Sequence, residues 1–384
     1  MRGPRTRGAL VLVAAALVAT ACSSGGPAST APAATTASTP QYQRPGPDTV
    51  GVTTLDLGSA GAVLGERLAT VYYPADPATA MSHPRFSYSE ASTLPTQLQG
   101  LLPPRYDTIT STEAYTDAPG STRGPFPVVL FSHGFGGERL QYSNLLTGVA
   151  SWGYVVVSAD YLERGLAVES EAGLGVKVTP TSADDQATMG QSLARVESAS
   201  EDPASVLHGL VDPSKVAAMG HSAGGGTAFT ALHDPRVATA IGWSPEQPTG
   251  GWSSKPVMLI APQGDLAFPP AAMAKDLATF PGPRSWVEIS GEGHNSYTDI
   301  CVGIRDGGGL VNYAVQHHFT TAALERLATN GCEASDLPPQ RFWPVVQYYS
   351  VFQLEAVFHH GPTRVPTPAP GAFPGFTVTV HQAG

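Results

Sequence analysis

Seven short apolar runs recur along the chain, each closed by glycine, proline or a small polar residue: LATVYYPA (68–75), PVVLFSHG (127–134), YVVVSADY (154–161), KVAAMGHS (215–222), VATAIGWS (237–244), KPVMLIAP (255–262) and RSWVEISG (284–291). The runs are continuous rather than alternating, so both faces of each strand have to be covered. An open sheet with one wet face is excluded. Segments with helical spacing lie between the runs, among them RLQYSNLLTGVASWG (139–153) and PPAAMAKDLATF (269–280). This alternation predicts an α/β fold with a mostly parallel central sheet and helices on both faces. With 384 residues, 42% of them hydrophobic, the chain can bury one large core.

The ends read differently. MRGPRTR followed by GALVLVAAALVATA is a basic and then apolar export signal over residues 1–21, shorter than the ~20 apolar residues that span a bilayer. Its end fits two patterns. Ala19-Thr20-Ala21 suits release of a soluble protein, whereas the same residues with Cys22 resemble a bacterial lipobox whose cysteine carries the lipid. Lipidation of Cys22 leaves Cys301 and Cys332 as an even pair that an oxidising compartment can bridge, which favours the second pattern. A lipoprotein on the extracellular face of the cell membrane is expected, with soluble secretion as the alternative. Residues 22–46, rich in Ser, Thr, Ala and Pro, read as a disordered tether. Residues 47–384 then form a single domain, with an irregular proline-rich insertion at 80–125 (a cover over the site or a surface excursion), a helix at 343–360 and an extended tail. The formal charge of −10 becomes −13 once Arg2, Arg5 and Arg7 leave with the signal. Such a surface repels nucleic acid and anionic headgroups, so no nucleic-acid partner is expected. Membrane contact is expected only through the lipidated N-terminus, and the chain is expected to be a monomer.

The chemistry concentrates in VAAMGHSAGGGTAF (216–229). Gly220-His221-Ser222-Ala223-Gly224 fits GxSxG, a weak pattern alone, but an apolar strand enters it and a helix-compatible segment leaves it. Ser222 is then a nucleophile on a tight strand-to-helix turn. A serine hydroxyl needs a base and an acid that orients the base, in the order Ser, Asp/Glu, His. Asp265 follows the strand KPVMLIAP and His294 follows RSWVEIS, both at strand ends on the edge where open α/β sheets bind ligands. Glu246 is the alternative acid, and His221 is expected to point away from the base. The pairs His317-His318 and His359-His360 lack the partners of a metal site, and no metal or cofactor is implied. The loop Ser132-His133-Gly134-Phe135-Gly136-Gly137 offers a donor for an oxyanion, so the N–H groups of Phe135 and Ala223 are the expected hole.

With PVVLFSHGFGG, LQYSNLLTGVASWGYVVVSADYLERG and VAAMGHSAGGGTA, and with VYYPA (71–75) and ISGEGHNSYTD (289–299), the chain resembles the platelet-activating-factor acetylhydrolase family of α/β-hydrolases over roughly residues 65–300. It also resembles the bacterial cutinase and polyester-hydrolase group. The resemblance implies an α/β-hydrolase fold and a serine carboxylic ester hydrolase acting through an acyl-enzyme on an uncharged or lipid-like ester. An acyltransferase or thioesterase with the same triad is one alternative, and an inactive surface-binding lipoprotein is another. Acetylhydrolases of this type carry the acid after the strand that follows the nucleophile helix, where this chain has Gly242-Trp243-Ser244-Pro245 and no aspartate. That departure favours Asp265. Cutinase-like enzymes place an aromatic wall near this turn, so Trp243 joins Phe135 as a substrate-binding candidate, or is a core tryptophan. A Cys301–Cys332 bridge would close a loop of about 30 residues and stabilise the fold by roughly 3–4 kcal/mol, unless the two thiols lie buried apart.

Overall fold

The computed structural model of the chain describes residues 42–383 apart from 62–63, 167, 169–176 and 320. The signal segment, Cys22 and most of the expected tether lie outside the described residues. The tether's last residues are docked rather than loose. Trp152 Nε1 donates to the carbonyl of Arg44 at 3.1 Å, and Gln347 Nε2 donates to those of Tyr42 and Arg44 at 2.7 and 2.6 Å.

Among the described residues eleven strands form one sheet: β1 (Val50–Ser59), β2 (Glu66–Pro74), β3 (Arg85–Ser89), β4 (Ile109–Thr116), β5 (Phe126–Ser132), β6 (Val155–Ala159), β7 (Val211–His221), β8 (Val237–Trp243), β9 (Val257–Pro262), β10 (Arg284–Ile289) and β11 (Val378–Ala383). Their order is β11-β10-β9-β8-β7-β5-β6-β2-β1-β4-β3. The six strands from β6 to β10 are mutually parallel, and each is one of the predicted apolar runs. β2, the seventh run, lies antiparallel between β1 and β6, and β11 closes the other edge antiparallel to β10. The α/β class holds, with an antiparallel margin at each side. The strand β1 has no counterpart among the predicted runs because its burial fades from inside to outside along its length, which hides its period.

Helices cover both faces. α1 (Ser143–Ala150) connects β5 to β6, α2 (Ser182–Glu201) leads into β7, and α3 (Ala223–Thr230) follows β7. α4 (Pro270–Ala278) connects β9 to β10, and α5 (Ile300–Arg305), α6 (Gly309–Gln316), α7 (Ala322–Ala328) and α8 (Pro339–Phe358) come after β10. Successive strand residues face opposite layers. Val128 and Leu130 pack with Met189 and Leu193 of α2 and Phe229 of α3, while Val129 and Phe131 pack with Leu146 and Val149 of α1 and Phe352 of α8. α2, which the apolar pattern does not single out, starts from a capping box. Thr181 Oγ1 accepts from the Asp184 N–H, and Asp184 Oδ2 accepts from the Thr181 N–H.

The 80–125 segment is partly sheet and partly cover. β4 pairs parallel with β1 over Gly51 and Val52, and β3 pairs with β4. Between these two strands Leu94, Leu102 and Tyr106 form a small separate core with Leu310 and Tyr313 of α6. Glu90 Oε1 accepts the Leu310 N–H at 2.9 Å. Two excursions from different parts of the chain therefore meet beside the carboxyl edge of the sheet.

The parallel strands place their carboxyl ends together. In register, Ser132 of β5 faces Gly220 of β7, His221 faces Trp243 of β8, and Ile289 of β10 faces Pro262 of β9. The chain runs from β5 to β6 on one side and then crosses to β7 on the other. This reversal of strand order opens a crevice where ligands bind in such sheets.

Candidate active site

Ser222 ends β7 and opens α3 at φ +56° and ψ −124°. A non-glycine residue there costs about 1–3 kcal/mol, so its surroundings must hold it. They do so from both sides: the Ser222 N–H donates to the Trp243 carbonyl, and the Ser222 carbonyl accepts from Gly225 and Glu246. The flanking glycines are needed for close approach. A Cβ at Gly220 would lie 2.1 Å from the Gly224 oxygen, and one at Gly224 would lie 2.0 Å from the Ser132 oxygen. Ser222 itself is half-buried, and its hydroxyl makes no hydrogen bond, not even a helix cap, to any described residue. It is a hydroxyl held in reach of solvent with no structural task.

His294 and Asp265 meet at the same edge. His294 Nδ1 lies 3.0 and 3.2 Å from the two Asp265 carboxylate oxygens. Nδ1–H therefore donates to the acid, and Nε2 keeps its lone pair as an acceptor. Burial alone would raise the Asp265 pKa. The His294 hydrogen bond and charge, the Phe268 N–H and the Ser244 hydroxyl outweigh burial and hold it below the usual carboxylate range. Glu246, the alternative acid, is exposed, and its part is to hold the serine turn through its own N–H.

Two residues that the sequence reading did not assign hold this pair. Asn330 Oδ1 accepts the N–H groups of His294 (2.8 Å) and Leu266 (3.0 Å), and its Nδ2 donates to the Gly264 carbonyl (3.1 Å). One side chain thus spans the acid loop and the base loop. His221, expected to point away from the base, lies against it with ring centroids 4.6 Å apart. Its Nε2–H donates to the His294 carbonyl at 2.8 Å and its Nδ1 accepts from the Tyr142 hydroxyl at 2.8 Å. Burial, and then the charge of His294, pushes the His221 pKa well down, so the ring is neutral and keeps this tautomer.

The N–H groups of the two expected oxyanion donors, Phe135 and Ala223, have no hydrogen-bond acceptor among the described residues. The Gly134 carbonyl accepts His133 Nδ1–H (2.8 Å), Arg164 Nη1 (3.0 Å) and the Gly137 N–H (3.2 Å). A trans peptide directs its N–H opposite to its carbonyl, so the Phe135 N–H faces away from that cluster. The same holds for Ala223, whose peptide partner is the anchored Ser222 carbonyl. Behind the loop, burial and then the charge of Asp160 push the Glu138 carboxyl up to about 8. It therefore adds little negative charge at neutral pH.

A groove of about 320 Å³ runs past both donors and is lined by Phe135, Ala223, Thr181, Thr227, Glu246 and Gln247. Phe135 is 60% exposed at the wall of this groove. Trp243, the other substrate-binding candidate, is not on this surface. It is fully buried, stacks on Tyr297 and donates from Nε1 to Ser350 Oγ at 3.0 Å, so it is a core residue. Cys301 and Cys332 are bonded to each other. The pairs His317-His318 and His359-His360 lie exposed, and His317 packs on Tyr106 and Tyr313.

Residues 112–244 match a family model described as Chlorophyllase, and residues 34–169 match one described as Platelet-activating factor acetylhydrolase, isoform II. Each covers about a third of the chain. The first includes the glycine loop and Ser222, and neither reaches Asp265 or His294. The structure is similar to a ferulic acid esterase from Streptomyces cinnamoneus at 20% identity, with a TM-score of 0.59 over 86% of this chain and 96% of that one. This likeness and the ordering of strands identify the α/β-hydrolase fold, and the two family models each match a part of the chain.

Proposed function

From the α/β-hydrolase fold as premise, we propose that the chain is an exported carboxylic ester hydrolase that works through an acyl-enzyme. Ser222 attacks the ester carbonyl, His294 takes its proton and returns it to the leaving alcohol, and Asp265 holds the imidazole. The N–H groups of Phe135 and Ala223 receive the oxyanion, a contribution of about 3–4 kcal/mol per donor in comparable sites. The observation that carries this reading is the conjunction of an unengaged Ser222 hydroxyl on a strained turn with the 3.0 Å His294–Asp265 contact at the same sheet edge. Export and lipid attachment at Cys22 rest on the N-terminal signal, and the Cys301–Cys332 bond supports an oxidising compartment. A mature N-terminus without diacylglyceryl mass on Cys22, read by mass spectrometry, would overturn the attachment.

The substrate follows from the groove. Hydroxyls of Thr181, Ser182, Thr227 and Thr230, the Gln247 amide and the Glu246 carboxylate line it. A long alkyl chain seated there would strip water from a polar wall that includes the exposed Glu246 carboxylate, whereas a short or hydroxyl-bearing group can bond to that wall. The enzyme therefore acts on esters of short or polar acids. A second reading, an aromatic hydroxy-acid ester of the kind named for the esterase neighbour, is favoured by the exposed Phe135 ring at the groove wall. A kcat/KM series over p-nitrophenyl esters from acetyl to dodecanoyl, with methyl ferulate alongside, tests both. Activity is expected to be highest for acetyl or propanoyl and to drop about tenfold or more by octanoyl. Efficiency that climbs with chain length would overturn the polar-groove reading, and methyl ferulate above every alkanoyl ester would select the aromatic one.

A further inference from the structure

Arg164 ends the short turn Leu162–Arg164 that follows β6, is 3% exposed, and reaches into the back of the glycine loop. Its Nη1 donates to the Gly134 carbonyl at 3.0 Å and to the His133 carbonyl, and its Nη2 donates to Ser132 Oγ at 2.7 Å. Its Nε lies 3.0 Å from Asp185 Oδ1 on α2. Its own carbonyl accepts the Gly136 N–H at 2.8 Å. Asp185 Oδ2 in turn accepts the Thr227 hydroxyl of α3 at 2.7 Å, with the Ala223 carbonyl 3.2 Å from that same hydroxyl. A guanidinium is placed out of water here with one carboxylate, two backbone carbonyls and a hydroxyl around it. Burial of that kind holds only when the fork geometry satisfies the donors together.

Resting on the esterase reading above, we infer that the Arg164–Asp185 pair presets the oxyanion hole. Arg164 fixes the Gly134 carbonyl inward, and peptide planarity then turns the Phe135 N–H outward to the bound ester carbonyl. Asp185 and Thr227 tie this loop to the helix that carries the Ala223 donor, so both halves of the hole are set by one buried contact. A preformed hole needs no reorganisation when charge develops on the carbonyl oxygen. Arg164, which with Asp185 also forms part of the groove wall, is thus a positioning residue that acts on the oxyanion through Gly134.

The test uses Arg164→Ala and Thr227→Val in the full chain, with active sites counted by fluorophosphonate labelling. Arg164→Ala is expected to lower kcat by about 10²- to 10³-fold with KM nearly unchanged, the loss typical of one oxyanion donor. Affinity for a trifluoromethyl ketone, which forms the same tetrahedral oxyanion, is expected to weaken by a similar factor. Millimolar guanidinium should restore part of kcat where the same concentration of sodium chloride does not. A kcat loss without the matching ketone loss, or labelled sites that guanidinium leaves unrescued, would overturn the inference. If Arg164→Ala does not fold, Thr227→Val decides. It keeps the ion pair, and unchanged kcat with unchanged ketone affinity would reject the coupling of the two donors. A failure of the esterase reading itself would show separately, as turnover that survives in Ser222→Ala.

Discussion

Replacing Ser222 with alanine is expected to lower kcat/KM by about 10⁴- to 10⁶-fold and to abolish fluorophosphonate labelling, with no loss of fold. Removing the nucleophile from a serine-histidine-acid set costs on this scale because the remaining groups act only in concert with it. The substitution is mild structurally. The hydroxyl has no hydrogen bond to lose, and alanine can take the same turn at a strain comparable to that of serine. Activity measured on a short-chain ester, with melting temperature recorded alongside, checks both halves. Retained turnover or labelling would place the nucleophile elsewhere and remove the basis of the proposed mechanism.

Asp265→Asn is expected to lower kcat about 10⁴-fold while His294 and Ser222 stay in place. The carboxylate accepts Nδ1–H and so leaves Nε2 free to take the serine proton. An amide can present its N–H₂ to Nδ1 instead, which moves the ring proton to Nε2 and removes the base. The same substitution changes the acid side of the stability profile. Asp265 is held below its ordinary value, so the stability it contributes is present above the unfolded carboxyl's range near 4 and is lost as pH falls through the lower folded value. The asparagine variant lacks that contribution at neutral pH and lacks its loss in acid. Denaturant titrations at pH 7 and pH 3 are therefore expected to differ less for the variant than for the parent. Equal differences would show that the folded and unfolded carboxyl titrate alike.

The seven apolar runs were readable because each is buried on both faces, and this burial leaves a continuous signature of β-branched residues. The seat of Ser222, Asp265 and His294 was readable for a related reason: turn residues at strand ends mark one edge of a parallel sheet. Trp243 was ambiguous because a strand-end tryptophan looks the same whether its ring faces ligand or core; the Tyr297 stack and the Ser350 hydrogen bond decide for the core. His221 was misplaced for a similar cause, since its direction depends on Tyr142, 79 residues away in the chain. Asn330 and Arg164 left no local mark at all. Each works through backbone groups of distant segments, and such contacts have no period, spacing or composition to announce them.

The bond between Cys301 and Cys332 has a consequence for where this molecule is vulnerable. Asn330, two residues before one half-cystine, grips the amide of His294, and the other half-cystine lies seven residues beyond that histidine. The covalent link therefore closes a small circuit around the His294–Asp265 pair and leaves the strand ladder untouched. Both half-cystines are fully buried, so a reductant reaches this circuit only after the segments around it open, and the rim is exposed to thiols through local unfolding alone.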